Sequence, residues 1–126
     1  MTGLLAVELR RRFPSLYATE GQADPTVHAR FFTPWTEWTW YVIEFDGEDL
    51  FFGLVDGFEA ELGYFSLSEL ESVRGPGGLT IERDLHFKPA PLSTLKAGLD
   101  PMGFHKALPF RPNVPSQVPP REGRSR

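Results

Sequence analysis

The sequence predicts an α+β domain: an antiparallel meander of four to five strands, two main helices and a flexible, Pro-rich C-terminal tail. Three observations carry this. The run WTWYVIEFDGEDLFFGLVDGFEAELGYF holds two Asp-Gly pairs, Asp46-Gly47 and Asp56-Gly57, each set between alternating apolar stretches. That is the strongest short-range signal for a hairpin, because the turn it favours matches the twist of paired strands. Directly after it, Ser66-Leu67-Ser68-Glu69 forms a capping box, in which hydroxyl and carboxylate satisfy the orphan amides that open a helix. From Pro101 onward, prolines recur without apolar periodicity, a composition that cannot bury enough surface to order itself.

The elements follow in order. Residues 4–13 predict the first helix, since Leu5, Leu9 and Phe13 recur at a spacing of four and share one face. Arg10, Arg11 and Arg12 stand in its last turn, where cations complement the helix dipole, and Pro14 stops it. Residues 15–21 suit a single helical turn or a compact loop. Residues 26–33 alternate as a strand, with Val27, Ala29 and Phe31 opposed to His28, Arg30 and Phe32.

Residues 37–46 are the clearest strand, with Thr39, Tyr41, Ile43 and Phe45 on one side and Trp38, Trp40, Val42 and Glu44 on the other. Residues 50–55 return across the first Asp-Gly turn, and Ala60, Leu62 and Tyr64 alternate beyond the second. In the second helix, Phe65 and Leu70 make a hydrophobic staple, while Leu67, Leu70 and Val73 form the buried face. Gly75-Pro76-Gly77-Gly78 ends it. Residues 79–87 suit a fifth strand, 88–91 break regular structure, and 92–99 suit a short helix capped by Ser93 or Thr94. The chain thus divides into a single domain over 1–98 and a basic, Pro-rich tail over 99–126.

A chain of 126 residues points to one domain. It has no cysteine, which excludes a disulfide framework, a thiolate metal site and a cysteine nucleophile. The N-terminal run MTGLLAVELRRRF does not read as a secretory signal, and no apolar run is long enough to span a membrane. The expectation is a cytoplasmic protein without a membrane partner. Residues 1–98 carry 8 Lys and Arg against 15 Asp and Glu, and residues 99–126 carry 5 against 2. Such an acidic body disfavours direct contact with nucleic-acid phosphates. It fits either a solvated surface or one that imitates DNA and docks on a basic partner.

Both faces of the meander are apolar. Tyr41, Ile43, Phe45, Ala60, Leu62 and Tyr64 line one; Phe32, Trp38, Trp40, Val42, Leu50, Phe52 and Leu54 line the other. Two helices, one per face, would cover both. Were they to share a face, the aromatic one would be too large for water and would need a protein partner or a second copy of the chain. On that reasoning the expected partner-binding set is Trp35, Trp38, Trp40 and Phe52, since indoles favour interfaces, with the acidic Glu44, Asp46, Asp49, Glu59 and Glu61.

Catalytic signals are sparse. His28, His86 and His105 lack metal-ligand spacing, the glycines at 75–78 follow a helix rather than opening one, and no nucleotide, hydrolase or calcium-loop motif is present. No metal and no cofactor is expected. His28 and Glu44 fall on one predicted face and are the only candidates for a general-base pair. A small hydrolase-like enzyme is therefore the rival to a non-enzymatic interaction module, and a self-assembling homo-oligomer is the third reading.

The phrases LYATEG, HARFFTP, WTWYVIEFDGEDLFFGLVDGFEAELGYFSLSELESVRG and IERDLHF, in that order, resemble the bacterial family catalogued as domain of unknown function 2958. The resemblance covers about residues 4–96 and leaves the tail outside. It implies no activity, substrate or catalytic residue. Members of that family are often met on plasmids and other mobile elements, so the resemblance implies a role in element upkeep or interference with host defence.

Overall fold

The computed structural model describes residues 4–99 of the chain, so the tail predicted over 99–126 lies, beyond Leu99, outside the described residues. Its centre is an antiparallel sheet of five strands in the order β5-β4-β3-β2-β6. Strands β2 (Ala29–Phe32), β3 (Thr39–Phe45), β4 (Leu50–Asp56) and β5 (Ala60–Ser66) are the expected meander, each pairing with the next. Short connections favour this arrangement. The fifth strand, β6, is only Glu82–Arg83 and pairs with β2 at Phe31 and Phe32.

The strand expected over 26–33 divides at His28. Before it, β1 (Thr26–Val27) pairs with β7 (Ala90–Pro91) in a separate two-stranded ribbon, although 88–91 promised no regular structure. After it, β2 joins the main sheet. The backbone N–H of His28 donates to the Val42 carbonyl at 2.8 Å, next to the place where β3 also loses regularity.

That irregularity is a bulge: the pairing of β3 with β4 shifts register between Val42 and Glu44. An extra residue reverses the alternation beyond it. Phe45 therefore joins Trp40 and Val42 in one cluster with Phe31, Phe51, Val55 and Phe65. Ile43 and Leu54 lie in the other, with Val27 and Leu92. The strict alternation read from sequence placed Phe45 opposite Trp40, and Phe52 and Leu54 beside it; the bulge corrects all three.

The first two helices both cover the Trp40 face. Helix α1 is Val7–Arg10, four residues rather than the expected ten. Ala6 at its start provides no side-chain cap, and the Pro14 carbonyl instead accepts from the Phe45 N–H at 2.9 Å, holding the chain against the end of β3. Leu4, Leu5 and Phe13 are buried nonetheless, and the Leu4 N–H donates to the Glu71 carboxylate at 2.9 Å.

Helix α2 (Leu67–Ser72) begins as expected, with Ser66 Oγ accepting from the Glu69 N–H, and it buries Leu67 and Leu70 with Val73 beside them. The opposite face is covered by the β1–β7 ribbon and by α3 (Leu92–Leu99). Of the two arrangements the sequence leaves open, α1 and α2 take the shared face, and the other face is covered from elsewhere in the chain. The cap of α3 is also reassigned: Asp24, 69 residues upstream, accepts from the N–H and hydroxyl of Ser93.

Candidate functional site

Of the expected partner-binding residues, the structure brings together those at the β4–β5 turn. Trp38 precedes β3, and its indole lies flat on Gly57, where a Cβ would meet the ring at 2.6 Å. Phe58, at the tip of the turn and 82 % exposed, stands edge-on to that indole at 5.2 Å. Trp35 lies over Gly75 in the same manner, in the turn after α2. Both indoles are half-buried. The glycines are required here because any side chain would displace the ring.

Acidic residues neighbour this corner along the chain. Glu37, Glu59 and Glu61 are exposed, and Glu61 stands opposite Val55 on the strand that forms one edge of the sheet. Burial pushes the Asp56 carboxyl above the usual carboxylate range, and the nearby Glu37 charge pushes it further the same way. Like charges held close repel, and a cation placed among them would relieve that repulsion. Phe58, Glu37 and Asp56 stand outside the partner-binding set expected from sequence. An aromatic residue directly after an Asp-Gly turn is itself the signal, since a turn tip has nothing to bury it.

The other expected contacts lie elsewhere. Trp40 is fully buried against Trp38, and Phe52 is buried beside Tyr64, so neither presents a surface. Asp46 and Asp49 hold the first hairpin and the start of α2. Burial raises the Asp46 carboxyl, but backbone N–H groups from Glu48, Asp49 and Leu50 donate to it and outweigh that effect, leaving its pKa lowered. Asp49 is lowered chiefly by the Ser66 hydroxyl, which donates to it at 2.6 Å, and it also accepts from the Ser68 N–H at 2.8 Å.

Glu44 is wholly buried. Its carboxylate accepts from the N–H of Tyr17 at 2.7 Å, the N–H of Thr19 at 2.9 Å and the Thr19 hydroxyl. Tyr17 adopts a positive φ of 70°, a conformation that costs about 1–3 kcal/mol and is held by that bond. Glu44 is thus the peg around which residues 15–21 wrap.

His28 and Glu44 do not meet. The bulge turns Glu44 toward Tyr17 and Thr19, whereas the His28 ring stands edge-on to Phe13, at 6.0 Å, on the other side of the sheet. The proposed general-base pair is therefore corrected. His28 instead lines a cleft of about 280 Å³ at the β6 edge, with Ala6, Leu9, Arg12, Arg83 and Phe87 among its walls. No group of three or more His, Asp or Glu side chains among the described residues is arranged to hold a metal ion. No helix of the described residues is long and apolar enough to cross a membrane.

A family model described as "Protein of unknown function (DUF2958)" matches residues 4–98. Neither the curated proteins nor the solved structures yield a match.

Proposed function

We propose that this chain, which belongs to the DUF2958 family of proteins of unknown function, acts as a non-enzymatic module that docks on a basic, extended segment of another protein. The carrying observation is the corner at Trp38 and Phe58, an aromatic pair partly out of water and followed along the turn and β5 by the exposed Glu59 and Glu61. Aromatic faces attract guanidinium and ammonium groups, carboxylates complement their charge, and two χ angles make an aromatic anchor cheap to order. The acidic side chains along β5 also disfavour pairing of that edge with a second copy of itself, while a strand bearing Lys or Arg would suit it. A basic target surface is the chemistry that a DNA imitator would meet, which accords with the mobile-element association the family resemblance implies.

The geometry narrows the test. Reversing Glu44, Asp46 or Asp49 would disturb packing and caps, so the informative positions are Phe58, Glu59 and Glu61. A fluorescein-labelled peptide of alternating arginine and proline serves as the probe, read by anisotropy. The expected result is binding that weakens with salt and falls about tenfold in Glu59→Lys/Glu61→Lys or in Phe58→Ser. Affinity unchanged by all of these substitutions removes the reading.

A further inference from the structure

The cleft at the β6 edge has a different chemistry. We infer that it is a binding site for a small organic anion, one carrying a carboxylate or phosphate on a flat apolar body. The cleft's volume of about 280 Å³ stands near the lower end of cavities that take small ligands. Arg12 approaches it from the turn after α1 and Arg83 from β6. Neither makes an ion pair among the described residues. Two arginines thus line one cleft, and a guanidinium carries several N–H donors in a fixed fork, the geometry that suits a carboxylate or phosphate.

The charge balance favours an anion. Two carboxylates also line the opening, Glu8 and Asp84, but Asp84 is already paired with Arg30 at 3.1 Å. That leaves two cations against the exposed Glu8. The walls then select for more than charge. Leu9 and Phe87 supply apolar surface that an inorganic ion would leave unused and a ring would cover. His28 adds the polar contact on the inner side: it is half-buried and braced edge-on by Phe13. Burial holds its pKa below the ordinary value, so near neutral pH it offers an uncharged ring that can stack and donate one hydrogen bond. This site lies at the edge of the sheet opposite β5, so its outcome is independent of the Trp38 corner.

The test is an NMR titration of the full chain with phenyl phosphate, following backbone amide shifts, with inorganic phosphate and benzoate as parallel arms. Saturable shifts are expected at Ala29, Arg83 and Asp84 in the millimolar range, and affinity for inorganic phosphate about tenfold weaker. Saturation by phenyl phosphate or by benzoate supports the site, and the tighter of the two identifies the headgroup. Arg12→Gln, on an exposed side chain, and Arg83→Gln should each weaken binding of the phenyl probe about tenfold. The inference is overturned by shifts that never saturate, by shifts gathered at Trp38 and Phe58, by equal affinity for inorganic phosphate, or by unchanged affinity in both variants.

Discussion

At the scale of single residues, Glu44 shows how a carboxylate that reads as surface charge can serve as an interior acceptor. It sits in a strand beside Asp46, Glu48 and Asp49 and looks like one more acidic group. Buried, it accepts from the N–H groups of Tyr17 and Thr19, 27 and 25 residues upstream. Glu44→Ala should lower the free energy of unfolding by about 3 kcal/mol, because it strands buried N–H groups. Urea denaturation measures this, and hydrogen exchange should show residues 17–19 losing protection first.

His28 gives a second residue-scale expectation, in pH. Its folded pKa lies below the unfolded value of 6.5 because burial disfavours the cation, so the unfolded chain binds the proton first as pH falls. Stability from this group is complete above 6.5, declines as pH drops from there to the lowered folded value, and then levels off. Urea midpoints taken from about pH 7 to about pH 5 should fall in the parent chain, and more shallowly in His28→Gln.

At the scale of elements, the bulge in β3 decides more than any helix. One extra residue sends Phe45 into the Trp40 cluster and Glu44 to the opposite face. Gly53 stands across from Val42 at this point, and a Cβ there would fall on the Tyr41 carbonyl oxygen. Backbone cannot yield as a flexible side chain does, so Gly53→Ala should cost more than about 3 kcal/mol or prevent folding, as thermal unfolding would show. Gly47, with open space around it at a φ of +90°, is the contrast. Alanine there meets only the backbone penalty, about 1 kcal/mol.

At the scale of the whole molecule, both sheet faces are covered, though by different means. The Trp40 face lies under α1 and α2, and the Ile43 face lies under a ribbon and a helix from the far end of the domain. An exposed aromatic face, the argument for self-assembly, is therefore missing among the described residues, and the large apolar side chains left exposed there are scattered, at Tyr17, Phe58, Leu79 and Leu85. Light scattering of the full chain should give a monomer at micromolar concentration. A dimer that dissociates as salt is raised would instead identify the basic residues after Leu99 as a clasp on the acidic body of a second copy.

The sequence by itself determined the meander, its two Asp-Gly turns, the capped start of α2 and the acidic cast of residues 37–71. Each of these rests on neighbours within a few positions, where backbone preference and hydrogen-bond chemistry act locally. Only the tertiary structure decided that Trp40, Phe52 and Glu44 are interior, that His28 and Glu44 stand on opposite sides, and that Asp24 caps a helix 69 residues away. A bulge leaves the composition of a strand unchanged while inverting its faces, and a cap supplied from afar has no local signature. Both are settled by which backbone groups find partners when the chain closes on itself.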